Sequence, residues 1–194
     1  MSEHYYTHNP VSPSDERRFT LNFAGQEYSF LYDNGVFSKG RLDEGTAILL
    51  GALGEVRGDV LDLGCGWGPV GTILGKRHPD ANILMTDVNE RALELSRKNL
   101  ILNGVNNARV LCSDGFENIS GLFDFIVTNP PIRAGKQTIY AMFDDALKHL
   151  KRSGTLTVVI RKQQGAESAL KFLAKANAEV IEKQKGYWVI QARI

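Results

Sequence analysis

Cysteine and histidine are scarce, with two of the first and four of the second in 194 residues. Cys65 and Cys112 each stand alone at the end of an apolar run. They form neither a spaced disulfide framework nor a set of thiolate ligands, and both read as small buried thiols in a reducing compartment. His4, His8, His78 and His149 show no ligand spacing, so no metal is expected. Long apolar runs are also missing: none approaches the roughly 18 residues of a membrane span. Met1-Ser2-Glu3-His4-Tyr5 lacks the basic-then-apolar pattern of a secretory signal, so no membrane attachment and a cytoplasmic location are expected. Repeats and low-complexity tracts are absent, and neither charge sign dominates, the net being +1. What remains is an ordinary globular composition, 43% hydrophobic and 23% charged. It suits one domain with a substantial core and a modest extension.

Hydrophobic patterning orders that domain. Residues 18–23 and 26–31 alternate polar and apolar around Ala24-Gly25, which predicts a β-hairpin, whereas residues 1–14, with Pro10 and Pro13, look loosely ordered. Leu42 to Leu50 predicts a helix entering the main domain. From Asp59, strand-like and helix-like segments alternate at βαβ spacing, which implies a parallel sheet with right-handed crossovers. Helices are expected at 90–103 and from Ile139 to Leu150, and a strand at 156–160. Residues 178–182 and 187–192 flank Lys185-Gly186, a connection so short that those two strands must be antiparallel. The expected fold is therefore α/β and Rossmann-like, with a mostly parallel sheet, a C-terminal antiparallel hairpin and a small N-terminal β-hairpin. The division expected is 1–35 as extension and 36–194 as main domain.

Four segments carry chemistry. Asp59-Val60-Leu61-Asp62-Leu63-Gly64-Cys65-Gly66-Trp67-Gly68-Pro69 is a short strand running into a glycine loop and a helix start, with Pro69 suited to the first turn. Glycines there tolerate positive φ and let a ligand approach the backbone. Gly66-x-Gly68-x-x-Gly71 also fits a dinucleotide fingerprint, which leaves a nicotinamide-dependent oxidoreductase open. Asp62 argues against a diphosphate, which it would repel, and favours a zwitterionic amino-acid group. A second strand ends at Asp87, where a doubly wound fold puts the acceptor for two ribose hydroxyls; Asn89 can cap the following helix and leave Asp87 free. A third ends at Asp114-Gly115-Phe116, where Asp114 could accept from an adenine amino group, with Phe116 or Val88 against the ring. The fourth runs into Asn129-Pro130-Pro131-Ile132. Two prolines remove two backbone donors and stop the strand. They hold an amide side chain rigidly beside carbonyls that have lost their ladder partners, an arrangement suited to accepting from a planar NH2.

Charge is unevenly spread. Residues 1–132 hold 11 basic and 17 acidic side chains, a net of −6, whereas residues 133–194 hold 12 and 5, a net of +7. The basic segment begins with Arg133 and Lys136, directly after the prolines, and includes Lys162. Cations focused beside a ligand crevice suit a polyanion held through its phosphates. Many of the other lysines read as solvated surface.

Asp-x-Gly-x-Gly-x-Gly at 62–68, the acid at 87, Asp114 and Asn129-Pro130-Pro131, taken in order, resemble a class I S-adenosylmethionine-dependent methyltransferase acting on an amine. More narrowly, Gly35-Val36-Phe37-Ser38, Leu42-Asp43-x-Gly45-Thr46 and the segment 129–136 resemble the ribosomal RNA small subunit methyltransferase C family. The resemblance covers residues 17–194 and implies a seven-stranded sheet, S-adenosylmethionine as cofactor and a guanine amine of 16S rRNA, free or in the small ribosomal subunit, as target. It implies cofactor contacts at Asp62, Gly64, Cys65, Gly66, Asp87, Val88, Asp114, Gly115, Phe116 and Asn129. Catalysis would fall to Asn129, Pro130 and Pro131, and substrate contacts to Phe37, Ile132, Arg133, Lys136 and Lys162. Two departures stand out. Longer members carry a second, degenerate methyltransferase-like domain, and many amine methyltransferases follow the prolines with Phe or Tyr where Ile132 stands here. Adenine in RNA or DNA, or a protein glutamine amide, presents the same planar NH2. An RNA-binding module with a dead cofactor pocket is the non-enzymatic alternative.

Overall fold

A computed structural model describes residues 15–33 and 40–194. The N-terminal hairpin pairs β1 (Arg17–Phe23) with β2 (Gln26–Tyr32), and it turns through Ala24 and Gly25, both at positive φ. The chain then runs through α1 (Glu44–Ala52), β3 (Gly58–Leu63), α2 (Pro69–Arg77), β4 (Ala81–Asp87), α3 (Glu90–Leu102), β5 (Ala108–Cys112) and β6 (Phe123–Thr128). It continues through α4 (Lys136–Lys148), β7 (Leu150–Arg161), α5 (Ala166–Leu173), β8 (Glu179–Gln184) and β9 (Tyr187–Arg193).

The main sheet has seven strands in the order β5-β4-β3-β6-β7-β9-β8. Pairings from β5 to β7 are parallel, and β9 lies antiparallel to both β7 and β8, as the short 185–186 connection requires. Several boundaries differ from the pattern reading: α1 runs Glu44–Ala52 rather than Leu42 to Leu50, and β7 begins six residues before position 156. Helix α4 starts three residues before Ile139, at Lys136, and Leu150 belongs to β7 rather than to that helix. The first turn of α4, Lys136-Gln137-Thr138, is polar and carries no apolar period, and at the other end Leu150 fits the helical period as well as it fits a strand.

Strand residues alternate between two apolar layers, as a sheet covered on both faces demands. Val60, Ile83, Met85 and Val127 pack with α2, α3 and the hairpin, whereas Leu61, Leu63, Leu84 and Ile126 pack with α4 and α5. Helix α1 covers β7 and β9, where Ile48 and Leu49 meet Val159, Tyr187 and Val189, and its Leu50 joins the α2–α3 layer.

The hairpin is held by two amides. Asn99 and Asn103, one turn apart on α3, face the free edge of β2 and bond to it as a strand would. Asn99 accepts from Leu31 N (2.7 Å) and donates to Leu31 O (3.0 Å), while Asn103 accepts from Ser29 N (3.0 Å) and donates to Ser29 O (2.7 Å). Asn99 also donates to Trp67 O at 2.8 Å, and Trp67 packs edge-on against Phe19 and Phe30. The extension is thereby tied to the glycine loop by hydrogen bonds and by ring packing. Replacing Asn99 by Leu should lower stability by about 3 kcal/mol, because three backbone groups lose partners that water replaces poorly. Urea denaturation of the two proteins measures the difference.

Candidate active site

The four segments singled out in the sequence converge at one edge, the C-terminal ends of β3, β4, β5 and β6. Chain order there reverses on either side of β3, with β4 and β5 to one side and β6 to the other. Such a switch point opens a crevice between loops that leave in opposite directions.

Its floor is the glycine loop. Gly64 N and Cys65 N both donate to Thr86 O at 2.8 Å, and Gly66 N donates to Asp87 Oδ2 at 2.9 Å, which pins the loop to the end of β4. The glycines divide the work. A Cβ on Gly64 or Gly66 would meet nothing within 4 Å, so these two, at φ +74° and +56°, face open space. A Cβ on Gly68 would lie 2.8 Å from Met85 Cε and Ser96 Oγ, and one on Gly71 2.5 Å from Met85 Sδ; these two permit close packing of α2. Cys65 turns its thiol into the core beside Ser96 Oγ at 3.8 Å, and burial pushes the thiol pKa up.

Asp62 is buried at 2% exposure, beneath the loop. The capping position of helix α2 is Gly68, which has no side chain, and Asp62 Oδ2 accepts from Gly71 N at 2.8 Å in its place. Burial pushes the Asp62 pKa up to about 7; the Gly71 bond opposes this and the nearby Asp87 charge adds to it. Asp87 is half-buried at the end of β4. Its oxygens accept from Gly66 N and from Asn89 N, each at 2.9 Å, and burial raises its pKa despite those bonds. Each oxygen keeps a second lone pair. Asn89 does cap α3, accepting from Ala92 N at 3.2 Å. Val88 follows Asp87, half-buried.

Asp114 is exposed beyond β5, in a loop that Ser113 organises by donating to Gly115 O (3.0 Å) and accepting from Asn118 N (3.1 Å). The Phe116 ring stacks on His149 with centroids 4.5 Å apart, packed on the α4 side.

Asn129 is half-buried at the tip of β6. Its Nδ2 donates to Asp43 Oδ2 (3.0 Å) and to Thr46 Oγ1 (3.1 Å), both at the start of α1. Among the described residues nothing donates to Asn129 Oδ1 or to the Pro130 carbonyl, whereas Pro131 O accepts from Ala134 N at 2.8 Å. A sequence reading could not join Asp43 to Asn129, which stand 86 residues apart. The only hint was that both fall in segments carrying the family resemblance.

Ile132 packs partly against the α4 layer. Arg133 and Lys136 are exposed just beyond it, with no described carboxylate within 4.0 Å; the Lys136 ammonium lies 5.3 Å from the Tyr140 ring centre. Lys162 is exposed at the end of β7, 3.6 Å from Glu167. Other cations of the basic segment are committed elsewhere: Lys151 bridges Asp59 and Asp124 at the opposite end of the strands, and Lys175 and Lys185 pair with Asp144 and Glu44. Phe37 lies outside the described residues. Among those residues there is no group of three or more His, Cys, Asp or Glu side chains that could hold a metal, and no helix is long and apolar enough to cross a membrane.

The model of the methyltransferase small-domain family matches residues 27–191, and the chain belongs to that family. It is 43% identical over 199 aligned residues to an uncharacterised Bacillus subtilis protein, YbxB, covering all of this chain and 99% of that one. It is 40% identical over 146 residues to the ribosomal RNA small subunit methyltransferase C of Aeromonas hydrophila, covering 73% of this chain and 42% of the relative. A solved structure, the Thermus thermophilus 16S rRNA N2 G1207 methyltransferase in complex with AdoMet and guanosine, superposes with a TM-score of 0.79 at 27% identity. That match takes in 95% of this chain and 52% of the other. The chain thus spans about half the length of these ribosomal RNA methyltransferases, or less.

The buried acid gives a pH signature. Between about pH 4 and 7 the folded chain keeps a proton on Asp62 that the unfolded chain has lost, so stability falls as pH rises through that window and levels off above it. Asp62→Asn keeps an oxygen for Gly71 N and removes the titration. Its denaturation midpoint should lose most of the decline between pH 4 and 8; in what remains, Asp87 adds to the decline and His78, whose pKa burial lowers, opposes it.

Proposed function

We propose that this protein transfers a methyl group from S-adenosylmethionine to an exocyclic amine of a base in RNA, with guanine N2 of 16S rRNA as the favoured target. The observation that carries this reading is the pair of acceptors at the tip of β6, Asn129 Oδ1 and the Pro130 carbonyl, unoccupied by described donors and beside a crevice with an open glycine floor. The names of the ribosomal RNA methyltransferases it resembles support the RNA target.

The crevice suits that cofactor residue by residue. Gly64 and Gly66 leave bare backbone for its amino-acid end, with Asp62 beneath to favour an ammonium. Asp87 has lone pairs to accept from ribose hydroxyls. Asp114 would accept from the adenine amino group with Val88 against the ring, since the Phe116 ring is taken up by His149. When bound, S-adenosylmethionine supplies a methyl already activated by its sulfonium. The protein's task is then alignment. An aromatic amine is a poor nucleophile because its lone pair is delocalised into the ring. Accepting its two N–H groups on Asn129 Oδ1 and Pro130 O turns that lone pair toward the methyl and raises its density. No strong base is needed beforehand, and the cationic product loses its proton to water.

The RNA would meet cations as it enters. Lys136 is the first residue of α4, whose opening turn carries no acid, so a positive charge opposes the helix dipole there. An anion held between Lys136, Arg133 and the helix N-terminus reverses that penalty. Lys162 extends the same path. The target base must leave its stack to reach Asn129, at a cost of a few kcal/mol in a duplex and less in a loop.

Asn129→Ala should lower kcat by about a hundredfold or more, the scale seen when a preorganised partner of a reacting group is removed. Affinity for S-adenosylmethionine, measured by calorimetry, should stay within a few-fold. Mass spectrometry of 16S rRNA nucleosides from a deletion strain identifies the base, and an unaltered rRNA would sink the target assignment. Reversing charge at Arg133 and Lys136 together should raise the KM for RNA and flatten its salt dependence, with cofactor affinity unchanged. A protein amide as substrate would show no such dependence.

A further inference from the structure

The amide of Asn129 has two chemically opposite ends, and only one of them helps an amine. With Oδ1 outward it accepts from an NH2 group; with Nδ2 outward it would face the substrate donor to donor. The terminal amide torsion is broad and roughly two-fold, so the residue has no intrinsic preference between the two. Its neighbours supply one. Nδ2 lies 3.0 Å from Asp43 Oδ2 and 3.1 Å from Thr46 Oγ1. A carboxylate has no hydrogen to give. The Thr46 hydroxyl directs its own hydrogen toward the same Asp43 Oδ2, at 3.4 Å, which leaves a lone pair for Asn129. Both groups around Nδ2 are therefore acceptors, and a flipped amide would set its oxygen against two oxygens.

Asp43 is itself held. Its Oδ2 caps α1 by accepting from Thr46 N at 3.0 Å. The first turn of α1 sits so close to β9 that a Cβ on Gly45 would fall 2.8 Å from Tyr187 Cε1 and 3.0 Å from Asp43 Oδ2. We propose that Asp43 and Thr46 are positioning residues for methyl transfer, which lock the Asn129 amide with its oxygen toward the substrate amine while touching neither substrate nor cofactor. This rests on the reading of Asn129 given above.

Thr46→Val keeps the shape and the capping N–H but removes the hydroxyl acceptor. Asp43→Ala removes the carboxylate, and Asp43→Asn restores an oxygen that can serve both the cap and Asn129. In protein labelled with nitrogen-15 asparagine, the Asn129 side-chain NH2 should give two distinct, slowly exchanging proton signals. Thr46→Val and Asp43→Ala should merge those signals or speed their exchange, and Asp43→Asn should keep them. With 16S rRNA from a deletion strain as substrate, the first two variants should lose tenfold or more in kcat at nearly constant KM and cofactor affinity. Asp43→Asn should recover most of that loss. Amide signals unchanged in both Thr46→Val and Asp43→Ala would overturn the lock without needing any substrate. Full activity of Asn129→Ala would sink the functional reading, and the catalytic purpose of the lock with it. An inactive Asn129→Ala beside fully active Thr46→Val and Asp43→Ala would defeat the positioning role alone.

Discussion

The residue that precedes helix α2, Gly68, has nothing to offer the orphan N–H groups of the first turn, and the carboxyl group of Asp62 reaches up from β3 to take the one at Gly71. The rest of the crevice is arranged around that borrowed cap. Because the cap comes from below, the loop between strand and helix carries no capping side chain and can stay bare on its outer surface at Gly64 and Gly66. The helix can then press against Met85, since Gly68 and Gly71 have no Cβ to prevent it. The arrangement keeps a carboxyl group in the interior, close to a second acid, Asp87. Burial without a cation partner moves such a group toward neutrality, as its raised pKa reflects.

The same logic recurs along the strand ends. Asp87 steadies Gly66 and Asn89, Asp43 steadies Thr46 and Asn129, and Asn99 joins the hairpin to Trp67. Side chains rather than backbone ladders satisfy these groups. A parallel sheet ends its strands together, and polar groups gathered at that edge are either paired locally or kept for binding.

Local chemistry was legible in the sequence; long-range pairing was not. The hairpin turn at Ala24-Gly25, the glycine loop, the Asn89 cap and the antiparallel end all follow from neighbouring residues, and the structure bears them out. The Asn129–Asp43 bond, Asn99 against Leu31 and the Trp67 cluster depend on tertiary contacts, for which a single sequence carries no period or spacing. Asp62 was read as facing a ligand, and its bond to Gly71 appears only once α2 is seated above it. The charge reading divides in the same way. Net charge by segment is visible in the chain, but Lys151 joining two acids at the far end of the sheet is not.

Strand β9 is the last element along the chain, yet it lies between β7 and β8 and supports the first turn of α1 through Tyr187. The strand ends that form the crevice all precede it in the chain, and the ring that backs Gly45 comes after them. Because β8 joins the sheet through β9 alone, residues 187–193 carry both the last pairing of the sheet and the backing of the α1 turn, so a change in β9 would reach the amide at position 129 through Asp43 and Thr46.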